Sequence, residues 1–175
     1  MSKVITFRGK AGVGKTTLSD AVAQKLNIPV IRKDDIYDAV APFLYEHEFR
    51  NKICYDVLYK MIETNIINGV DIIVDAGFHD LDVALKFRDW VQNKNAVFKS
   101  FLCICSKQEV WAERFNRRSL DPKPNNLITD FETLKCHYKN MDTEALSNET
   151  SLDTMDNIEN IVNKVVSEII EGEYI

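Results

Sequence analysis

The chain has 175 residues, of which 45% are hydrophobic and 28% are charged. This composition is that of an ordinary globular domain and excludes a disordered, collagen-like or coiled-coil chain. The 22 Lys and Arg against 27 Asp and Glu give a net charge of −5, which disfavours broad binding to nucleic acid because that affinity comes from clustered cations. We therefore expect a single domain over residues 1–175.

The first segments of the chain alternate apolar runs with helical periods, a pattern typical of a parallel α/β sheet. In chain order we predict a strand at 3–8, a helix at 16–26, a strand at 28–31, and a helical region at 35–68 interrupted near Pro42. An apolar stripe in this last region is expected to be buried: Ile53, Val57, Leu58, Met61 and Ile62. The aromatics nearby are expected to lie mostly in the core: Tyr37, Phe43, Tyr45, Phe49 and Tyr55.

The remaining elements continue the same alternation. They are a strand at 70–74 ending at Asp75, a helix at 81–93, a strand at 97–104, a helix at 107–118, a polar loop at 119–129, a helix at 130–141, a short fifth strand at 151–153 and a final helix from 158 to 170.

The chain start has no long apolar segment of the secretory type, and no run approaches roughly 18 apolar residues. The cysteines form no C-x-x-C pair, and we interpret them as core thiols rather than as metal ligands or disulfides: Cys54, Cys103, Cys105 and Cys136. These features predict a cytoplasmic protein without a membrane span. We expect either a monomer or a homodimer, a choice that the sequence leaves open.

The most specific motif is GKAGVGKT at residues 9–16, which matches G-x-x-x-x-G-K-[ST] between a predicted strand and a predicted helix. Glycines let backbone N–H groups turn inward around phosphate oxygens, and the following helix directs its positive end at the same charge. Lys15 adds a cation for the β- and γ-phosphates, and the Thr16 hydroxyl can ligate Mg²⁺. The predicted nucleotide-binding residues are Gly9, Lys10, Ala11, Gly12, Val13, Gly14, Lys15, Thr16 and Thr17.

Other classes of P-loop protein fit less well. The stretch at 93–96, Asn-Lys-Asn-Ala, lacks the Asp of the guanine-reading N-K-x-D pattern, and Asp75-Ala76-Gly77 lacks the D-x-x-G spacing of a switch loop. The chain is also short for a motor ATPase with arginine fingers supplied between subunits. These observations leave a kinase or a passive nucleotide sensor.

Two carboxylates follow the second predicted strand, Asp34 and Asp35. Ligands of open parallel sheets bind at the carboxyl ends of strands, so these groups are expected to face the phosphates. A carboxylate there can accept the proton of an attacking hydroxyl, and we assign this role to Asp34. The alternative is that Asp34 or Asp35 only caps the next helix.

Two arginines stand near the end of the helix at 107–118. Arg114 and Arg118 are four residues apart and share a helix face. Guanidinium groups can follow the negative charge that spreads over a γ-phosphoryl group during transfer. We predict a lid of about residues 114–130 that closes over the nucleotide; the alternative is a solvated basic helix end that stabilises the helix dipole.

Together these residues resemble a known enzyme family. The P-loop at 9–16, the pair Asp34-Asp35, Asp75, and the basic stretch at 114–118 occur in the order and spacing of small P-loop kinases. The chain is similar to the polynucleotide 5′-kinase and zeta-toxin-like group, relatives of gluconate, adenylylsulfate and chloramphenicol kinases. The resemblance covers residues 3 to about 165. It implies a three-layer α/β/α P-loop nucleoside triphosphate hydrolase fold, with five parallel strands in the order 2-3-1-4-5 and an arginine-bearing lid.

The resemblance also implies ATP and Mg²⁺ as cofactors. It places Lys15 and Thr16 in the phosphate and metal roles, Asp34 at the general base, Arg118 at the lid arginine with Arg114 as a second candidate, and Asp75 near substrate or metal.

One position departs from the polynucleotide kinases. They carry an arginine two residues after the Asp pair that grips the acceptor phosphate, and here Tyr37 occupies that position. A small-molecule acceptor is therefore expected, with Tyr37, Phe78 and His79 as candidate pocket lining and His79 as a candidate second acid or base. The expected function is an ATP-dependent kinase acting on a hydroxyl of a small molecule; the alternatives are a polynucleotide 5′-hydroxyl kinase and a non-catalytic nucleotide sensor.

Overall fold

The computed structural model describes residues 1–171 of the chain. Its elements are β1 (Lys3–Arg8), α1 (Lys15–Leu26), β2 (Val30–Arg32), α2 (Lys33–Val40), α3 (His47–Ile67), β3 (Ile72–Asp75), α4 (Leu81–Asn93), β4 (Val97–Ile104), α5 (Gln108–Arg118), α6 (Phe131–Tyr138), β5 (Thr150–Asp153) and α7 (Ile158–Glu171). None of the helices within residues 1–171 is both long and apolar enough to cross a membrane.

The five strands form one parallel sheet in the order β2-β3-β1-β4-β5, which confirms the predicted topology. The central strand β1 pairs with β3 and β4, so that Val4 lies opposite Ile72 on one side and Phe98 on the other. Parallel strands bring their carboxyl ends to one edge, and β1, β2 and β3 therefore end close together at the edge where ligands bind in such sheets.

Helices cover both faces of the sheet, and the central strand β1 is therefore buried on both of its faces. Ile5 and Phe7 pack with α1 and α7 on one face, whereas Val4 packs with α3 and α4 on the other. Alternate residues of a strand point to opposite faces, so β1 contributes to both layers of the core. A smaller third cluster joins α5 to α6 through Phe115, Leu134 and Tyr138.

The predicted buried stripe of α3 is wrong in three of its five residues. The helix buries Cys54, Leu58 and Ile62, while Ile53, Val57 and Met61 are 37–43% exposed. The buried set follows the i, i+4, i+8 spacing, but it begins at Cys54 rather than at Ile53, a rotation of about 100° around the helix axis. The stripe was misplaced because both faces of α3 carry apolar residues and only one of them meets the sheet.

The aromatic residues between α2 and α3 also depart from the core assignment. Tyr37 is fully buried and Tyr55 packs against the core, but Phe43, Tyr45 and Phe49 are 81%, 91% and 60% exposed. They lie in or just after the connection from α2 to α3.

The cysteines partly follow the expectation. All four are free thiols; Cys54 and Cys103 are buried, Cys105 is half-buried and Cys136 is exposed. Burial raises the pKa of the Cys103 thiol to about 12, so this group stays protonated and acts as a small apolar core residue.

Candidate active site

The P-loop connects the end of β1 to the start of α1 through a backbone that needs glycine. Gly9 has φ +134°, and a Cβ there would lie 2.2 Å from the carbonyl oxygen of Cys103 on the neighbouring strand β4. Gly14 precedes the first residue of α1 with φ +105°. A residue with a Cβ atom does not fit at position 9 without a clash. The φ angles of Gly9 and Gly14 both lie outside the regions that other residues favour.

Three side chains from distant elements hold this loop. The Trp111 indole N–H of α5 donates to the Ala11 carbonyl at 2.7 Å, and the Ala11 N–H donates to the Tyr138 hydroxyl of α6 at 3.0 Å. The Thr154 hydroxyl, after β5, donates to the Val13 carbonyl at 2.6 Å. Sequence reasoning missed these contacts because it assigned Trp111 to a helix core face. The polar tips of Trp and Tyr were the signal, since buried ones usually find a hydrogen-bond partner.

A cavity of about 920 Å³ opens beside the P-loop at the carboxyl edge of the sheet. Six segments line it: the P-loop with the start of α1, the end of β2 with α2, the end of β3, the end of α5 with the loop that follows, the loop after β5, and the start of α7. Of the predicted site residues, the cavity wall includes Gly12, Gly14, Lys15, Thr16, Thr17, Asp34, Asp75, Arg114 and Arg118. The fold therefore brings together predictions from four separate motifs.

Lys10 has a different environment from the other P-loop residues. Its ammonium lies 5.7 Å from the ring centres of both Trp111 and Tyr138, in a cation–π arrangement, and the residue is not part of the cavity wall.

The two predicted magnesium ligands are in contact. The Thr16 hydroxyl donates to Oδ2 of Asp75 at 2.8 Å. Arg32 places its Nε 3.9 Å from the same oxygen, and its guanidinium also pairs with Asp20 and, at 3.7 Å, with Asp35. The carboxylate of Asp75 is thus held between a hydroxyl and a guanidinium in the wall of the cavity.

Lys15 lies within the P-loop curve. Its ammonium donates to the Lys10 carbonyl at 2.9 Å. Burial lowers the pKa of Lys15 from its ordinary value, and the nearby Asp75 carboxylate opposes part of that shift.

Asp34 occupies the first turn of α2 and faces the cavity. No side chain makes a capping hydrogen bond at the start of α2, so the capping alternative has no such bond to support it. Burial raises the pKa of the Asp34 carboxyl, while the Lys33 ammonium, 3.9 Å away, and the Arg118 guanidinium oppose the rise. A carboxylate with a raised pKa is a stronger proton acceptor than one with the ordinary pKa.

The two arginines of α5 both reach the cavity, but they are held differently. Arg114 donates from Nη1 to the Thr154 hydroxyl at 2.8 Å and from Nη2 to the Thr154 carbonyl at 3.1 Å. Arg118 donates from Nη2 to the Asn125 side-chain oxygen at 2.8 Å, within the loop that follows α5. Arg114 is fixed to the residue that directly follows β5, whereas Arg118 is fixed to the loop that follows α5.

The candidate acceptor-pocket residues are not in the cavity wall. Tyr37 is buried and its hydroxyl lies 2.8 Å from Nδ1 of His47, while Phe78 stacks on Phe87 in the core at 4.2 Å between ring centres. His79 packs edge-on against Tyr138, 5.2 Å between centres, and burial lowers its pKa to about 4. The expectation that Tyr37 and Phe78 line the pocket is wrong, because their apolar rings complete the core below the sheet edge.

Solved structures share this fold over nearly their whole length. A candidate kinase from Chloroflexus aurantiacus is 21% identical with a TM-score of 0.75, covering 94% of this chain and 96% of that one. A gluconokinase from Sinorhizobium meliloti 1021 is 14% identical with a TM-score of 0.67, covering 98% and 95%. The APS kinase of Mycobacterium tuberculosis, solved with AMPPNP and APS, is 16% identical with a TM-score of 0.66, covering 96% and 97%.

A search of curated proteins returned no match. The family model described as an AAA domain matches residues 4–133, a span that contains the P-loop, Asp34, Asp75 and both arginines of α5. Because that match covers well over half of the chain, the protein belongs to this AAA domain family, in the fold shared with the kinases above.

Proposed function

We propose that the protein is an ATP-dependent kinase that transfers the γ-phosphoryl group of ATP to a hydroxyl of a small molecule. The observation that carries this proposal is the meeting, in one cavity, of a P-loop lysine, the Thr16–Asp75 pair, and the Asp34 carboxylate. Phosphoryl transfer needs phosphate binding, charge neutralisation and a proton acceptor within reach of one another. A passive nucleotide sensor needs only the first of these.

The nucleotide would bind with its phosphates in the P-loop. Backbone N–H groups from Gly12 to Thr16 and the start of α1 form the anion site, and Lys15 adds a positive charge. The fold likeness to an APS kinase solved with AMPPNP supports this placement. The absence of an N-K-x-D stretch favours ATP over GTP.

The residues present fit Mg²⁺. Thr16 and Asp75 supply one hydroxyl and one carboxylate oxygen, and magnesium in kinase sites is held by one or two such groups together with phosphates and water. Residues 1–171 contain no group of three or more His, Cys, Asp or Glu side chains that could hold a metal by themselves, and this kind of site needs none. When bound, the ion neutralises charge on the β- and γ-phosphates.

Asp34 would act as the general base. It accepts the proton of the acceptor hydroxyl while that oxygen forms a bond to the γ-phosphorus and the bond from phosphorus to the β–γ bridging oxygen breaks, releasing ADP. Arg114 and Arg118 face the same space and can stabilise the charge on the transferred group. Burial raises the pKa of Asp34, which suits proton acceptance.

The charges on the acceptor side of the cavity favour a small acceptor that is not a polyanion. Three carboxylates of α2 line that side, Asp34, Asp35 and Asp38. The cations beside them are engaged: Arg32 pairs with several carboxylates, and Lys33 with Asp34. A nucleic-acid end would bring further negative charge against these groups. The gluconokinase among the structural neighbours, whose fold this chain shares, also supports a small-molecule acceptor.

We treat residues 1–175 as one kinase domain whose lid begins near Arg114 and ends near residue 130, working in the cytoplasm. Four free thiols fit a reducing compartment.

A transfer assay with ATP labelled on the γ-phosphate tests the proposal. The protein, Mg²⁺ and ATP are incubated with pools of hydroxylated metabolites, nucleosides and antibiotics, and with a 5′-hydroxyl oligonucleotide as a separate arm. We expect label in a small product and none with Lys15→Ala. Label on the oligonucleotide alone would establish the polynucleotide kinase instead, and ATP binding without consumption in any arm would establish the sensor.

A further inference from the structure

The loop between α5 and α6, residues 119–130, is attached to α2 through Asn125. The backbone N–H of Asn125 donates to Oδ1 of Asp38 at 2.9 Å, and its side-chain Nδ2 donates to Oδ2 at 2.7 Å. Both oxygens of one carboxylate are therefore engaged by one residue that lies 87 positions away in the chain. Two parallel bonds to a charged group fix direction as well as distance.

The same side chain also reaches the loop arginine. Oδ1 of Asn125 accepts from Nη2 of Arg118 at 2.8 Å and from Nδ2 of Asn126 at 2.7 Å. The amide thus presents its donor to a carboxylate and its acceptor to a guanidinium. If the amide were flipped, its oxygen would face the Asp38 carboxylate and its NH₂ group would face the Arg118 guanidinium. The two partners together therefore determine the orientation of the amide.

Asp38 stands one helical turn after Asp34 on α2, and both carboxylates line the cavity. The helix that carries the proposed base is therefore also the helix that anchors the loop. Because Arg118 reaches that helix through the Asn125 amide, a shift of the loop would move the guanidinium within the cavity that Lys15 and Asp34 also line.

We propose that Asp38 and Asn125 are a pair of positioning residues that couple α2 to Arg118. They hold the α5–α6 loop over the cavity and orient the Arg118 guanidinium toward the phosphoryl group being transferred. The pair acts through Arg118 rather than on the substrate. The inference rests on the proposed function, since phosphoryl transfer is the step that the arginine would serve.

Three variants and one control test the pair. Asn125→Ala removes the side-chain bonds to both partners, Asp38→Asn turns a carboxylate oxygen into a second donor facing Nδ2, and the double variant combines them. Asn126→Ala is the matched control, because its recorded bonds are to Asn125 and Lys123 within the loop and its loss leaves the Asp38 contact in place. Circular dichroism and thermal midpoints check that all four proteins fold.

The kinetic result expected is a split between kcat and KM. Each single variant should lower kcat about 10- to 100-fold while changing the KM for ATP less than about threefold, because the P-loop is untouched. The double variant should be no slower than the slower single variant, since both changes remove one shared contact. The control should stay within about threefold of the wild type. Unchanged kcat in Asn125→Ala, or effects that multiply in the double variant, would overturn the inference.

A second readout does not depend on turnover. Trypsin cleavage after Arg118 should accelerate in both single variants and not in Asn126→Ala, because the loop is released from α2. If the wild type transfers phosphate and the variants match it in rate and in cleavage, the inference about Asp38 and Asn125 fails while the proposed function stands. If the wild type transfers nothing but the variants still release the loop, the proposed function fails while the anchoring of the loop stands.

Discussion

The two sides of the cavity are built in different ways. The P-loop side depends on backbone geometry and buried contacts: Gly9 fits against the Cys103 carbonyl, and three side chains from α5, α6 and the segment after β5 bond the loop directly. The α2 side depends on charged groups joined by hydrogen bonds between remote segments, as in the Asp38–Asn125 contact. The chain that leads from α2 into α3 exposes three aromatic residues, Phe43, Tyr45 and Phe49. The proposed phosphate site is thus held by backbone geometry and buried contacts, whereas the proposed acceptor side is held by polar contacts between separate segments.

The largest effect should come from the P-loop lysine. Lys15→Ala should lower kcat more than about 10³-fold, because the cation that meets the β- and γ-phosphates is lost. Lys10→Ala is the matched control on the same loop, since its ammonium lies over Trp111 and Tyr138, and it should lower kcat less than about tenfold. Steady-state transfer assays measure both. Equal losses would contradict the division of roles within the loop.

A backbone change on the same side should act on stability. Gly9→Ala should lower the free energy of unfolding by about 3 kcal/mol or more, since its Cβ would lie 2.2 Å from a carbonyl oxygen at φ +134°. Gly69→Ala also has a positive φ, +71°, but no atom lies within 4 Å of its Cβ, and it should cost only about 1 kcal/mol. Urea titrations compare the two, and a Gly9→Ala protein as stable as Gly69→Ala would refute the close approach.

On the other side of the cavity, Asp34→Asn should lower kcat about 10²-fold, the usual scale for loss of a general base. Its affinity for ATP should change little because the P-loop is intact. Asp35→Asn is the control, as its side chain is 70% exposed and pairs with Arg32. Isothermal titration with ATP and single-turnover assays separate binding from transfer. A full rate in Asp34→Asn would remove this residue from the mechanism.

The acid side of the pH–rate profile sharpens this prediction. Burial raises the pKa of Asp34 and the Lys33 ammonium opposes the rise. The rate should fall as pH falls through the pKa of this carboxyl, because the protonated form accepts no proton. Lys33→Met should move that fall to higher pH. If the rate of Lys33→Met fell at the same pH as that of the wild type, the pairing of Asp34 with Lys33 would be contradicted.

The smallest effect concerns His79, next to Tyr138 behind the P-loop. Burial lowers its pKa to about 4 from 6.5, so the folded state binds fewer protons than the unfolded state between these values. Stability should therefore decline as pH falls from 6.5 to 4, by about 2 kcal/mol after screening is considered, with about 1.4 kcal/mol for each pKa unit. His79→Gln should flatten this decline in urea titrations. An equally steep decline in the variant would exclude His79 as its source.

The features that the sequence predicted are those that depend on residues close together in the chain. The P-loop, the position of Asp34 just after β2 and the position of Asp75 at the end of β3 follow from local motifs and periodicity, whereas the strand order was implied by the resemblance to small P-loop kinases. The contacts of Trp111, Tyr138 and Asn125 join residues 87 to 127 positions apart, and nothing in local spacing marks such partners. The α3 stripe was misassigned for a related reason, since apolar residues on two helix faces leave the rotation of the helix to packing.

Binding of ATP with and without Mg²⁺ tests the central claim most directly. Isothermal titration of the wild type should give saturable binding with one site, tighter with Mg²⁺ than without it, and Thr16→Val and Asp75→Asn should each remove that gain while the protein stays folded. Lys15→Ala should weaken binding in both conditions. No binding at millimolar ATP, or a magnesium effect that survives in both variants, would contradict a phosphate site built from the P-loop and the Thr16–Asp75 pair.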